Sequence, residues 1–183
     1  MSNPGRLLVT LMAIAGFGFF GSPSNYGLPI NSAAAEPVAA DPVYAASFKD
    51  FDRKLQPLGQ WKGKTLVVYF WATWCKPCLT EIPKLVSLYD TYRSKNVVIV
   101  GVAIDQADKV QKFTKEHSIS YPVVYGGTEA VELSKKMGNK VGGLPFMIVI
   151  DAKGNVVETI LGEIPKGKLE QILKQLVGQQ LGF

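Results

Sequence analysis

The residues with reactive side chains are few and close together. The chain has two cysteines and one histidine, and the cysteines stand three apart in Trp74-Cys75-Lys76-Pro77-Cys78. The run before them, Thr65–Trp71 (TLVVYFW), is β-branched and aromatic throughout, as expected of a strand buried on both faces. After them, Ile82, Leu85, Val86, Tyr89 and Tyr92 recur at three- and four-residue spacing, which predicts an amphipathic helix over residues 76–93. A helix N-terminus carries unpaired N–H groups and partial positive charge, so it stabilises an anion. Cys75 sits at that end, and its thiol pKa should fall below the free value of about 8.5. Pro77 fits the first helical turn, where its missing N–H costs nothing. Lys76 adds positive charge beside the sulfur. Cys78 lies one turn further in and is the less exposed. The spacing therefore implies that Cys75 attacks a disulfide and that Cys78 resolves the mixed disulfide.

Other uses of the pair fit less well. A c-type haem attachment needs His after the second cysteine, and position 79 is Leu. A closed zinc site needs four Cys or His ligands. A purely structural staple across so short a loop stabilises little by chain entropy. No metal or cofactor is expected. His117, next to Glu116 near a predicted helix end, reads as a solvated residue.

Several elements must hold this junction in place. Val97–Ile104 (VVIVGVAI) is a second buried strand, so strand, helix and strand form a parallel pair with a right-handed crossover. Residues 107–117 and 128–137 read as helices. Phe146–Ile150 and Asn155–Leu161 form a hairpin about the turn residues Asp151–Asn155. A closing helix runs over residues 165–177, with Leu169, Ile172, Leu173, Leu176 and Val177 on one face. The fold class is α/β, with helices packed on a mixed sheet.

Composition bounds the setting. The chain has 183 residues, 47% hydrophobic and 19% charged, enough for one domain with its own core plus an extra segment. The formal charge of +5 is spread without a basic run, so no nucleic-acid partner is expected. Leu7–Gly21 is apolar apart from one Thr, follows Arg6, and is shorter than a spanning helix of about 20 residues. It reads as the apolar core of a signal peptide, with Ala33–Ala35 as a cleavage site, or as an uncleaved membrane anchor. Residues 1–35 are thus expected to be leader or anchor, 36–46 a linker, 47–178 the domain and 179–183 a tail. Export would place the dithiol in a periplasmic or other extracytoplasmic, disulfide-permissive compartment.

The run Phe70–Cys78, with Glu81 and Pro83 after it, resembles the thioredoxin superfamily, most closely its exported TlpA/ResA-like branch. Two further regions carry the resemblance. Gly143-Leu144-Pro145 is similar to the family's cis-proline loop, and Val97–Gly126 to the βα element this branch inserts. The resemblance implies a thioredoxin-like three-layer sandwich around a central mixed sheet, and a thiol–disulfide oxidoreductase activity. Two positions depart from the pattern: Tyr69 stands where many thioredoxins have a buried Asp, and Phe146 follows Pro145 where the branch often has Thr.

The same resemblance assigns roles. Pro145 is expected to be cis, with the Leu144 backbone facing Cys75 and pairing with an incoming peptide. Trp74 is expected to form an apolar contact surface beside the disulfide. Glu81, three residues past Cys78, is expected to tune the dithiol, since a partly buried carboxylate raises the pKa of a nearby thiol. The implied partners are protein disulfides or thiols, apocytochrome c among them, with a transmembrane thiol-electron transporter as reductant. Lys76 makes the couple more oxidising and Glu81 less so, which leaves an oxidising disulfide donor open beside a reductase. A binding or assembly module with an inert C-x-x-C, and a thiol peroxidase, are further alternatives.

Overall fold

The computed structural model describes residues 39–180, all within the unit Ala35–Phe183. Leader, cleavage site and anchor fall outside the described residues. In chain order the elements are α1 (Asp41–Tyr44), β1 (Ser47–Lys49), β2 (Leu55–Pro57), β3 (Thr65–Trp71), α2 (Lys76–Tyr92), β4 (Val97–Ala103), α3 (Ala107–Glu116), β5 (Val123–Tyr125), α4 (Thr128–Lys136), β6 (Phe146–Ile150), β7 (Val156–Leu161) and α5 (Lys168–Gln180).

Seven strands form one sheet in the order β2-β1-β5-β4-β3-β6-β7. The sheet is mixed: β3, β4 and β5 are mutually parallel, and β6 returns antiparallel to β3. Alternation along β3 divides its side chains between two cores. Val67, Tyr69 and Trp71 pack with Ile82 and Leu85 of α2, Val110 of α3 and Leu173 of α5. Leu66, Val68 and Phe70 pack with Val43 of α1 and Ala130 and Leu133 of α4. The molecule is therefore the expected α/β three-layer sandwich. All seven residues of β3 and of β4 are buried, which explains why both strands read as unbroken apolar runs. The region expected as the family's βα element forms β4, α3 and β5.

Some boundaries differ from the sequence expectation. Residues 36–46 were expected to be linker, yet from Ala39 onward they join the fold. Ala40 and Val43 are fully buried, and the Ala40 N–H donates to the Gly154 carbonyl at 3.1 Å. A four-residue helix with two anchoring side chains leaves too little pattern to read. At the other end, α5 starts at Lys168 because Gly167 has φ +75°, a left-handed turn that a helix from Pro165 could not pass through. It continues to Gln180, so the expected tail begins inside a helix. Strands β1, β2 and β5 have three residues each, too short to show alternation. Among the described residues no helix is long and apolar enough to cross a membrane.

Candidate active site

The parallel strands β3 and β4 end on the same side of the sheet, where α/β folds place their sites. Beyond β3, Ala72 turns the chain, and the Cys75 N–H donates to the Ala72 carbonyl at 3.1 Å. Cys75 then caps α2: its backbone is extended (φ −88°, ψ 94°), and its Sγ accepts the Cys78 N–H at 3.3 Å. A sulfur that fills the N-cap position is where an anion gains most from the free N–H groups and the helix dipole. Cys75 and Cys78 form a disulfide, with Cα atoms 5.3 Å apart. Cys75 retains 5% exposure and Cys78 none. Both sulfurs are therefore buried, with Cys75 the more accessible of the two.

The other predicted residues fall on two sides of this pair. Trp74 is 68% exposed and stands on the solvent side. Leu144 is half-buried and packs against the core cluster that contains both cysteines. The Leu144–Pro145 bond is cis. Antiparallel pairing matches Phe70 with Phe146, so this loop lies at the same end of the sheet as Ala72–Cys75.

On the inner side, Glu81 is 2% exposed, one turn beyond Cys78. Its carboxylate meets the Lys84 ammonium at 3.3 Å, a half-buried pair whose lysine end is in water. Glu81 and Lys84 also line a groove of about 450 Å³ that Leu88, Ile164 and Leu169 complete.

Two contacts at the site were not anticipated. Tyr69, at the position where the resemblance leads one to expect Asp, is fully buried and donates its hydroxyl to the Cys78 carbonyl at 3.1 Å. Burial pushes its pKa well above the ordinary range, with smaller contributions from Tyr121 and the Glu81 charge. The group therefore remains a donor at any working pH. One signal was available: a phenol inside a fully buried strand, on the face toward α2, must find a partner there.

The second contact is made by Asp105, just past β4. Its Oδ2 accepts from both the Thr73 hydroxyl (2.5 Å) and the Thr73 N–H (3.2 Å), and its Oδ1 accepts the Gln106 N–H at 2.7 Å. One carboxylate thereby holds the loop that carries Trp74 and Cys75. Its signal in the sequence was the first acid after a buried parallel strand.

The chain matches the Redoxin family profile over residues 38–176. It belongs to the Redoxin family. Among relatives of this redoxin, the thiol-disulfide oxidoreductase ResA of Bacillus thuringiensis (strain Al Hakam) is 37% identical over 130 residues, covering 69% of this chain and 72% of that protein. The ResA of Geobacillus thermodenitrificans (strain NG80-2) is 28% identical over 171 residues, 93% of this chain and 92% of the relative. The crystal structure of a thiol:disulfide interchange protein from Chlorobium tepidum TLS superposes with a TM-score of 0.70 at 33% identity, over 80% of this chain and all of that one. With Cys75 and Cys78 as its C-x-x-C pair, this redoxin is a thiol–disulfide oxidoreductase of the TlpA/ResA-like kind.

Proposed function

We propose that this redoxin works outside the cytoplasm as a reductase of disulfides in exported proteins, with Cys75 as nucleophile and Cys78 as resolving thiol. The observation that carries the division of labour is the capping geometry: Cys75 Sγ receives a helix N-terminal N–H, while Cys78 is sealed behind it. In the forward reaction the Cys75 thiolate attacks one sulfur of the substrate disulfide and releases the other as a thiolate. Cys78 then gives up its proton and attacks the Cys75 sulfur, which releases the second substrate thiol. Two electrons pass from the dithiol to the substrate, and the Cys75–Cys78 disulfide remains. Glu81, buried one turn from Cys78 and open to the groove, is positioned to influence that proton. Trp74, Leu144 and the cis-proline Pro145 form the surface against which the substrate chain lies.

Compartment, electron supply and substrate follow from the leader and the resemblance. The apolar stretch Leu7–Gly21 supports export, either cleaved at Ala33–Ala35 or retained as a membrane anchor. A reductase in an oxidising space needs an external reductant, and a transmembrane thiol-electron transporter supplies one. Cytochrome c maturation, with apocytochrome c as substrate, is the process that the resemblance implies. Lys76, exposed beside Cys75, favours the opposite direction by stabilising the thiolate. A Cys78→Ser variant in the native compartment should accumulate a mixed disulfide between Cys75 and its substrate. A reduction potential near that of thioredoxin, about −270 mV, supports the reductase, whereas one near about −120 mV makes the protein an oxidant. Sequencing the mature N-terminus decides between signal and anchor.

A further inference from the structure

Strand β7 closes one edge of the sheet. Among the described residues only Ala39 pairs with its outer side, opposite Asn155 just before the strand begins. That bridge shows that the edge accepts a backbone partner. From Val156 to Leu161 the outer edge has none among the described residues.

The side chains of β7 alternate. Val157, Thr159 and Leu161 are exposed, while Val156, Glu158 and Ile160 are half-buried. Register with β6 sets Thr159 opposite Ile148 and Leu161 opposite Phe146, whose face α1 and α4 cover. The register shift between Val149 and Ile150 leaves Val157 without an opposite residue. The strip thus formed, two aliphatic side chains about a threonine, carries no charge, whereas exposed edges are usually guarded by Lys or Pro. The one charged residue within β7, Glu158, is paired with Lys168 at 2.7 Å.

This strip is continuous with the site. The Gly162 N–H donates to the Pro145 carbonyl at 2.8 Å, which ties the end of β7 to the cis-proline loop. Leu161 and Val141 both lie close to Gly143, where a Cβ would be 3.2 Å from Leu161 Cδ1 and 3.7 Å from Val141 Cγ2. Val141 is 80% exposed, Leu161 50% and Val157 42%. Single exposed hydrophobics mean little, but a run of them along an open edge that ends at a reactive disulfide marks a binding surface.

We propose that the outer edge of β7 is a docking strip for the disulfide-bearing protein substrate. The segment C-terminal to the target cysteine adds to β7 as an antiparallel strand, with apolar side chains at alternate positions over Val157, Thr159 and Leu161. Direction follows from topology. β7 runs toward the site, so an antiparallel partner runs away from it, and antiparallel pairing is the more stable per residue. Main-chain hydrogen bonds supply affinity, and the alternate side chains supply selectivity. The inference rests on the proposed attack of Cys75 on protein disulfides.

The test uses the reduced full chain and peptides whose single cysteine is a mixed disulfide with thionitrobenzoate. One peptide continues from the cysteine with Val-Thr-Val-Thr-Val, one with Gly-Ser-Gly-Ser-Gly, and a third has the first tail with N-methylated amides. Release of thionitrobenzoate at limiting peptide should be about tenfold faster for the Val-Thr tail, as expected of a few cross-strand pairs. N-methylation and Val157→Lys should each remove that preference, while reaction with a small aromatic disulfide stays unchanged. Equal rates for the tails, or a preference that survives Val157→Lys, overturns the proposal.

A cysteine-free Val-Thr peptide supplies an arm independent of reactivity. It should protect the amides of residues 156–161 from hydrogen exchange in the wild-type chain and leave them unprotected in Val157→Lys. Protection that rises with protein concentration without peptide assigns the edge to a second copy, and protection at every concentration without peptide assigns it to the chain itself. Either result overturns the proposal. Failure of every disulfide to react, with the exchange result intact, counts against the proposed reaction and leaves the docking strip standing.

Discussion

The two sides of the dithiol differ in almost every physical respect. On the Cys75 side are an exposed indole, an exposed lysine and a half-buried loop residue, all in reach of a partner. On the Cys78 side are a fully buried sulfur, a buried phenol bonded to the Cys78 carbonyl, and a buried carboxylate one turn away. The sulfurs are chemically identical, so the unequal roles proposed for them must come from these surroundings. Placement at a helix N-terminus gives one cysteine the stabilised anion. Burial shields the other, which fits the proposed attack from within. About one turn of helix separates the two positions.

The largest predicted effect comes from removing the sulfurs one at a time. Cys75→Ser should abolish both turnover and the mixed disulfide, whereas Cys78→Ser should abolish turnover and retain the mixed disulfide. Trapping from Cys75→Ser instead would reverse the assignment.

Next comes the loop that holds the outer side. Asp105→Ala leaves the Thr73 N–H and hydroxyl without their acceptor. Charge-assisted bonds of this kind contribute about 1.5–3 kcal/mol, and the site is only partly buried, so a loss of about 2 kcal/mol is expected in urea unfolding. KM for a protein disulfide should rise with it, and Asp105→Asn should recover part of both. Stability and KM that do not change would show that the loop holds itself.

The inner side is tested by charge. Glu81→Gln removes a buried negative group near Cys78, so the thiolate becomes easier to form and the potential should rise by about 30 mV, equivalent to about 1.4 kcal/mol. A potential that does not change, or that falls, removes Glu81 from the account.

The smallest effect concerns Tyr69. Tyr69→Phe gives up one buried hydrogen bond, about 1 kcal/mol. Because the folded state raises the Tyr69 pKa, its contribution is complete below the ordinary value of 10.0 and is lost as pH rises beyond it. Thermal unfolding against pH should therefore fall less steeply above pH 10.0 in Tyr69→Phe than in the wild type. Parallel curves would contradict the assigned burial.

What the sequence made legible follows from what local patterns encode. β3, β4 and α2 were readable because seven buried residues in a row, or an apolar stripe over seventeen, outweigh any competing pattern. The C-x-x-C pair was readable because a strand precedes it and a helix follows. β1, β2 and β5 were not, since three residues carry no period: β1 and β2 pair as a short local hairpin, and only β5 is held by strands distant in the chain. The Thr73–Asp105 contact spans thirty-two positions, and only the parallel pairing of β3 with β4 creates it. The Tyr69 contact lies between. Its strand was legible, but its partner is a backbone carbonyl, which no residue type announces.

Alkylation of the fully reduced protein, followed cysteine by cysteine across pH, reads the difference between the two thiols directly. Cys75 should react first, with an apparent pKa below the free value of about 8.5, and Cys78 should react slowly even at higher pH. Equal rates for the two thiols, or faster modification of Cys78, would contradict it.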